Sequence, residues 1–261
     1  MTRPLVMGVV NVTPDSFSDG GLYLDHEAAI AHGRAMAAAG VDVVDVGGES
    51  TRPGAEPVPV TEEVDRVVPV VAALSPLVRV SIDTRHAEVA DRAVAAGATL
   101  VNDVSATLHE VAAHHHVGWV AMHMQGDPRT MQRDPRYDDV VDEVRSFLVA
   151  RADAAVAAGV GEVWIDPGIG FGKTVEHNLA LLARLDELVA TGFPVLLGTS
   201  RKRFLGQLLA TADGVADPTP PDDRLEGSLA TAVWGYRAGA RMVRAHDVDA
   251  TLAAARAVAG L

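Results

Sequence analysis

Hydrophobic residues along the chain cluster in eight short runs, and stretches of helical character lie between them. The runs predict strands at Leu5–Val12, Val41–Gly47, Val78–Asp83, Thr99–Val104, Trp119–Met124, Val163–Asp166, Pro194–Gly198 and Met242–Ala245. They are rich in Val, Ile and Leu and show little alternation with polar residues. This pattern is typical of parallel strands that are buried on both faces.

The stretches between the runs predict helices at about 26–39, 61–74, 86–96, 108–116, 138–158, 174–190, 201–210 and 248–259, with an extra helix near 223–238. Five of the strands follow a helix that ends at a glycine, namely Gly40, Gly97, Gly159, Gly192 or Gly239. Glycine in this position is typical of a left-handed helix C-cap. The repeated unit predicts a (β/α)₈ TIM barrel, an α/β fold, as a single domain over residues 1–261.

An open doubly wound sheet is the alternative fold. It would more often have six or seven strands and a dinucleotide-binding loop near the start of the chain. The sequence has no such loop near its start. The barrel is therefore the preferred prediction.

Composition narrows the classes of function. The chain has 261 residues, is 48% hydrophobic and carries a net charge of -13, which argues against a nucleic-acid partner. It contains no cysteine and no apolar run that approaches the ~20 residues of a membrane span. The first residues lack the plan of a signal peptide. We therefore expect a cytoplasmic protein that binds neither nucleic acid nor membrane.

All eight predicted strands end in polar residues. The ends are Asn11, Asp45–Ala55, Ser81–Thr84, Asn102–Ser105, Met122–Gly126, Asp166, Thr199–Lys202 and Arg244–Asp247. In a barrel the active site lies at the carboxyl ends of the strands, so these residues should meet around one pocket.

The stretch from Ile165 to Lys173 joins an acid to a glycine-rich turn. Pro167 stands where a Walker A loop needs its first glycine, and the G-x-G-x-G spacing differs from the dinucleotide fingerprint. An acid beneath a glycine turn suits a ligand with paired N–H donors. Lys173 and Lys202 are the only lysines of the chain, and both follow a strand and a turn.

Charged residues at the strand ends fall into two groups. Asp83, Asn102, Asp166 and Lys202 can line the mouth of the barrel, where acceptors pair with a flat heterocycle. Arg244 and His246 precede a helix N-terminus and indicate an anion site. Together they predict a heterocycle that carries a diphosphate.

His114-His115-His116 looks like a cluster of metal ligands. Consecutive residues fan around a helix and cannot chelate one ion together. We therefore interpret the three histidines as a solvated helix end.

The chain resembles the dihydropteroate synthase family over nearly its whole length. The resemblance rests on the ordered segments NVTPDSFSDGG, DVGGESTRPGA, SIDT, NDVS, MHMQG, DPGIGFGK, TSRKRFLG and RAHDV. It implies condensation of 6-hydroxymethyl-7,8-dihydropterin diphosphate with 4-aminobenzoate in folate biosynthesis. It also implies Mg²⁺ as cofactor, a homodimer and sensitivity to sulfonamides.

The resemblance implies these roles for single residues. The residues that bind the pterin are Asp83, Asn102, Met122, Asp166 and Lys202, and the catalytic candidates among them are Asp83, Asp166 and Lys202. The Mg²⁺ ligand is Asn11, and the residues that bind the diphosphate are Thr51, Arg244 and His246. The residues on the aminobenzoate side are Phe17, Thr51, Arg52, Pro53, Phe171 and Ser200. Lys173 matches the family without a firm role, and a salt bridge to a helix-end acid is one alternative for it. The residues after Ser105 depart from the glycines that the family often has there, which puts the fourth loop and helix in doubt.

The expected mechanism is an SN1-like substitution without a covalent enzyme intermediate. The dihydropterin ring can delocalise the cation that forms when diphosphate leaves, and fixed carboxylates would stabilise it. Two other functions remain open, a folate-binding methyltransferase domain and a non-catalytic pterin-binding paralogue.

Overall fold

The structure is a computed structural model that describes residues 3–13, 22–50 and 57–260, with the backbone alone for 22–25. Phe17, Thr51, Arg52 and Pro53 lie outside the described residues, so their predicted roles stay predictions.

All eight predicted strands form in the described part of the chain. They are β1 Leu5–Asn11, β2 Val43–Gly47, β3 Arg79–Asp83, β4 Leu100–Asp103, β5 Gly118–Met122, β6 Val163–Asp166, β7 Leu196–Leu197 and β8 Met242–Ala245. Every pairing is parallel, in the order β6-β5-β4-β3-β2-β1-β8-β7. A parallel bridge between Ile165 and Val195 joins the two ends of this sheet. The TIM barrel prediction is therefore confirmed.

Helices alternate with the strands around the outside of the barrel. They are α1 Leu22–Ala39, α2 Val60–Leu74, α3 Ala87–Ala95, α4 His109–His115, α5 Val140–Ala157, α6 Val175–Ala183, α7 Leu185–Val189, α8 Arg203–Asp213, α9 Leu225–Ala238 and α10 Val248–Ala259. The five glycines predicted to end helices all have positive φ, from 89° to 116°. Among the described helices, none combines the length and apolar character needed to cross a bilayer.

The single helix predicted at 174–190 is wrong, because the chain forms α6 and α7 with a break at Arg184. The backbone there leaves the helical region, with φ -111° and ψ 30°. The Arg184 guanidinium binds Asp139, which caps α5, and Glu187 in α7. These ion pairs hold the corner between the two helices against the start of α5.

A single carboxylate orders the fourth loop, whose course the sequence left in doubt. Asp103 accepts the backbone N–H groups of Ser105, Thr107 and Leu108 at 2.9, 2.7 and 2.7 Å. Trp119 Nε1 donates to the same carboxylate at 3.2 Å. The short helix α4 follows directly from this turn, and His116 ends it in a left-handed conformation.

The lower half of the barrel interior is apolar. Its buried cluster consists of Met7, Val43, Leu100, Val120, Trp164, Leu196 and Met242. Arg79 and Glu162 form a two-bond ion pair of 2.9 and 2.7 Å, and Trp164 Nε1 donates to Glu162 at 2.7 Å. The interior below the pocket is thus filled by side chains.

Candidate active site

A polar layer lies directly above the apolar cluster. Side chains two positions apart on a strand point to the same side, so the residues that follow the cluster by two also face the barrel interior. These residues are Val9, Asp45, Asn102, Met122, Asp166, Gly198 and Arg244. Met122 and Asp166 pair in register across β5 and β6, and Asp83 pairs with Asn102 across β3 and β4. The predicted residues Asp83, Asn102, Met122 and Asp166 therefore meet at one level of the barrel.

Four polar side chains form a connected network across this layer. Arg244 donates from Nε to Asp45 at 2.6 Å and from Nη2 to Asp83 at 2.8 Å. Asn102 Nδ2 donates to the same oxygen of Asp45 at 2.9 Å. The other oxygen of Asp45, Oδ1, is buried without a hydrogen-bond partner among the described residues. Carboxylate oxygens of this network can therefore still accept hydrogen bonds at the bottom of the barrel mouth.

Asp166 and Lys202 form a second charged group on the opposite side of the mouth. Asp166 Oδ1 accepts the backbone N–H of Gly168 at 2.7 Å. Lys202 Nζ donates to the carbonyl of Ile169 and lies 4.7 Å from the ring centroid of Phe171. A Cβ built on Gly198 would lie 3.7 Å from Lys202 Nζ and 3.9 Å from Asp166 Oδ2. The absence of a side chain at Gly198 thus leaves open space beside both charges.

Burial shifts the pKa values of these groups towards neutrality. Burial raises the pKa of Asp83 to about 7, although Arg244 opposes the shift. The pKa of Asp166 is also raised by burial, against the opposing charge of Lys202. Burial lowers the pKa of Lys202 to about 8, and Asp166 limits that shift. Perturbed ionisable groups that meet in a pocket are typical of an active site.

Lys173 is buried and binds acceptors rather than an acid. Its Nζ lies 2.9 Å from His123 Nδ1 and donates to the carbonyls of Gly168 and Phe171 at 3.0 Å each. Burial lowers the pKa of Lys173 to about 7. Burial and the charge of Lys173 lower the pKa of His123 to about 3. Lys173 therefore connects the turn after β6 to the end of β5, and among the described residues it forms no salt bridge with an acid.

Three further predicted residues that the structure describes, Asn11, Ser200 and His246, lie around the rim. Ser200 Oγ accepts the backbone N–H of His246 at 3.1 Å and lies 3.1 Å from His246 Nδ1. Arg201 forms an ion pair with Asp247 beside them. Asn11 is half-buried at the end of β1 and pairs in register with Gly47.

The structure changes two details of the predicted site. The acidic group and the anion site are not separate, because Arg244 lies between Asp45 and Asp83. Asp45 also joins the site; it was predicted only as one of the strand-end residues, without a role of its own. Its signal in the sequence is an acid within the apolar run Val43–Val46, and it is fully buried. His123 likewise stood among the predicted strand-end residues without a role, because its partner Lys173 lies 50 residues further along the chain.

The side chains of this site can bind a planar ligand and stabilise charge that develops on it. Carboxylate and amide groups at one level can accept several N–H donors from a planar ligand, and the same carboxylates can stabilise positive charge that develops on it. Arg244 and His246 can compensate an anionic group at the rim.

Comparison with known proteins adds an independent finding. A family profile described as "Pterin binding enzyme" matches residues 7–246. The curated dihydropteroate synthase of Mycobacterium leprae is 51% identical, and the match covers 97% of this chain and 92% of that protein. A solved dihydropteroate synthase of Xanthomonas albilineans with 4-aminobenzoic acid is 46% identical, with a TM-score of 0.91 and coverage of 99% and 93%. The same enzyme in complex with 7,8-dihydropteroate gives 43% identity, a TM-score of 0.87 and coverage of 99% and 94%.

Proposed function

Because this chain belongs to the dihydropteroate synthase family of pterin-binding enzymes, we propose that its barrel mouth joins 6-hydroxymethyl-7,8-dihydropterin diphosphate to 4-aminobenzoate. The products are 7,8-dihydropteroate and diphosphate. The observation that carries the proposal is that Asp45, Asp83, Asn102 and Asp166 present hydrogen-bond acceptors at one height in the barrel mouth. Arg244 and Lys202 lie beside them.

The pterin binds through its N–H groups to the carboxylates. Asp166 already uses one oxygen for the Gly168 N–H, so its other oxygen is directed at the ligand. Lys202 lies against the Phe171 ring and, like Asp166, borders the space at Gly198, so it can donate to a ring carbonyl or nitrogen of the ligand. Met122, buried beside Asp166, provides an apolar face for the ring.

The substitution begins with cleavage of the bond between the pterin CH₂ and the diphosphate oxygen. The electron pair leaves with diphosphate, and the conjugated ring delocalises the cation. Asp83 and Asp166 stabilise this cation, because they are fixed in a buried pocket before the reaction starts. The neutral amine of 4-aminobenzoate then attacks the CH₂ carbon and releases a proton. A secondary isotope effect near unity at that carbon would contradict this order of steps.

Arg244 and His246 stabilise the negative charge on the leaving diphosphate. The family resemblance assigns Thr51 to the same side of the site. Asn11 fits the proposed Mg²⁺ because its side-chain oxygen is a hard donor at the mouth, and Mg²⁺ is usually held by few protein oxygens, with substrate phosphates and water completing its shell. When bound, the ion would neutralise charge on the diphosphate.

The aminobenzoate side consists of Phe171 and Ser200, with Phe17, Thr51, Arg52 and Pro53 from outside the described residues. Phe171 lies against Lys202, and Ser200 contacts His246, so both border the proposed pterin and diphosphate sites. Sulfonamides carry an arylamine like that of 4-aminobenzoate, so we also propose that they compete at this side. From the family resemblance we further propose a cytoplasmic location and a homodimer.

Incubation of the protein with both substrates and Mg²⁺ tests the function. We expect 7,8-dihydropteroate, detected by chromatography, and an equal amount of diphosphate. Omission of either substrate gives the blank. Binding of the pterin substrate without any product would identify a non-catalytic paralogue, and methyl transfer from a folate would identify the methyltransferase class.

A further inference from the structure

Three side chains from different elements meet on the outer side of β2 and β3. Glu49 follows β2 by two residues, Glu63 lies in the first turn of α2, and His86 immediately precedes α3. His86 Nε2 lies 3.8 Å from Glu49 Oε2 and 3.9 Å from Glu63 Oε2. One ligand atom from each of the three residues lies within 4.8 Å of the others.

Glu63 lies on the buried face of α2, which packs against the hydrophobic core. It is followed on the buried face of α2 by Val67, Val70 and Leu74. Glu63 itself is 0% exposed. Burial of a carboxylate in such a position is costly unless its oxygens are paired. The residue therefore needs a partner that an apolar side chain would not need.

Among the described residues, only one of the two Glu63 carboxylate oxygens has a hydrogen-bond partner. Thr84 Oγ1 donates to Glu63 Oε1 at 2.7 Å. Glu63 Oε2 and His86 Nε2 are both buried and have no hydrogen-bond partner among the described residues. Arg66, in the next position of the same buried face, donates instead to the Gly48 carbonyl and to Glu62. At 3.9 Å, Glu63 and His86 are also too far apart for a direct hydrogen bond.

We propose that Glu49, Glu63 and His86 form a binding site for a divalent transition-metal cation such as Zn²⁺. Two carboxylate oxygens and one imidazole nitrogen are typical ligands of this class of ion, whereas Mg²⁺ and Ca²⁺ prefer oxygen alone. Ligand atoms on one Zn²⁺ are separated by roughly 3.4 Å in a tetrahedral site, given bonds of about 2.1 Å. The two His86 separations of 3.8 and 3.9 Å need only a small inward movement, and the ligand atoms of Glu49 and Glu63, within 4.8 Å of each other, must also approach.

The position of the site indicates what the ion would do. The His86 side chain is 29% exposed, which gives a cation access to the buried Glu63. A bound ion would connect the segment after β2 to α2 and to the start of α3. It would thus stabilise one side of the barrel mouth without belonging to the proposed Mg²⁺ site at Asn11.

Arg85 competes with the ion for Glu49. Its Nε and Nη2 donate to the two oxygens of Glu49 at 2.9 and 3.0 Å. Replacement of Arg85 by Gln removes a positive charge and frees Glu49 Oε2, the oxygen that faces His86, whereas Oε1 still accepts the Val58 N–H. Arg85→Gln should therefore strengthen metal binding, whereas His86→Gln should weaken it. A cluster with a purely structural role would not give opposite changes.

The experiment is calorimetric titration of the whole protein with ZnCl₂ in the absence of substrates, together with melting curves. We expect one Zn²⁺ per chain and a rise in Tm with Zn²⁺ concentration. His86→Gln and Glu63→Gln should each lower the association constant at least about tenfold. Arg85→Gln should raise it.

Two control variants separate this site from other metal-binding positions. Asn11→Ala removes the proposed Mg²⁺ ligand, and His115→Gln removes a second histidine that is paired with a carboxylate, Asp91. Both should leave the Zn²⁺ affinity unchanged. Absence of Zn²⁺ binding in the wild type overturns the proposal, as does binding that is lost in a control variant but kept in His86→Gln.

Discussion

At the scale of single residues, the site depends on buried charges whose partners are incomplete. Asp166 uses one oxygen for a backbone N–H and leaves the other beside Lys202. Lys173, by contrast, has four acceptors around its ammonium group. A charge with unused capacity can bind a ligand, whereas a charge with a full set of partners holds the structure in place.

Asp166→Asn should keep the fold and lose most of the pterin affinity. The amide oxygen can still accept the Gly168 N–H, but the other end of the side chain becomes a donor that faces ligand N–H groups. Loss of a charge-assisted hydrogen bond costs about 1.5–3 kcal/mol, so the affinity should fall roughly tenfold to a hundredfold or more. Calorimetry with the pterin substrate measures this, and Asp134→Asn at an exposed position serves as control. Unchanged affinity would remove Asp166 from the site.

Lys202→Arg should impair turnover although it preserves the charge. The Lys202 side chain passes within 3.3 Å of the position of a Cβ on Gly170 and ends against the Phe171 ring, so a broader guanidinium has little room. We expect kcat/KM to fall on the order of 10–100-fold. Arg203→Lys, at the next and exposed position, should change little. Wild-type kcat/KM in Lys202→Arg would refute the argument from compact shape.

Lys173→Met should change how stability depends on pH. The folded-state pKa of Lys173 is about 7, against 10.5 in the unfolded chain, because the ammonium is buried. Below pH 7 both states hold the proton, and the cost of burial is constant. Between pH 7 and 10.5 the unfolded state holds more protons, so wild-type stability should rise with pH.

The measurement for Lys173 is the difference in free energy of unfolding between wild type and Lys173→Met, from urea titrations at pH 7.5 to 9.5. This difference should grow in favour of the wild type by at most about 1.4 kcal/mol per pH unit. Lys202 is present in both proteins, so its own titration contributes to both curves. Parallel curves for the two proteins would contradict the lowered pKa.

At the scale of elements, the turn between β6 and α6 forms the wall of the site. Gly168, Gly170 and Gly172 all have positive φ, of 64°, 83° and 63°. The turn lies against the end of β5, and a Cβ added at Gly168 would collide with the carbonyl oxygen of His123. The glycines therefore allow close contact between two loops rather than contact with a phosphate.

Gly168→Ala should be more destabilising than its positive φ alone explains. Positive φ costs a non-glycine residue roughly 1–3 kcal/mol, and the collision with His123 adds to this. Gly159→Ala is the matched control, because Gly159 also has positive φ but nothing lies within 4 Å of its Cβ position. Urea unfolding measures both losses. Equal losses would show that the turn does not need the close approach.

At the scale of the whole molecule, α6 and α9 carry large apolar side chains that are exposed on the outer surface. Trp234 on α9 is 56% exposed and Leu179 on α6 is 41% exposed. Trp234 Nε1 donates to the Leu182 carbonyl at 2.8 Å, so α6 and α9 present this face together. Exposed large apolar side chains on adjacent helices are typical of an interaction surface.

Trp234→Arg should therefore shift the proposed homodimer towards monomer, because the charge would be buried on association. Sedimentation velocity at several protein concentrations measures the change. Leu77→Arg is the control, since Leu77 is 57% exposed beyond the end of α2 and away from this face. A dimer that persists in Trp234→Arg and dissociates in Leu77→Arg would place the interface elsewhere.

The barrel, and the placement of several polar residues at the strand ends, can be predicted from local sequence patterns. The apolar runs predict all eight strands, and the glycine C-caps predict where the chain turns into five of them. Polar residues at the strand ends identify Asp83, Asn102 and Asp166, because strand geometry alone brings the ends of parallel strands to one side. Local patterns are sufficient for such features, since each depends on residues that are close in the chain.

Which charges meet depends instead on how the elements pack in three dimensions. Arg244 and Asp45 are 199 residues apart and come together because closure of the barrel places β8 beside β1, next to β2. Glu63 faces His86 because α2 packs against α3, and Lys173 reaches His123 because the turn after β6 lies on the end of β5. Periodicity in the sequence fixes the face on which a side chain lies, but partners across the barrel depend on how the strands and helices pack.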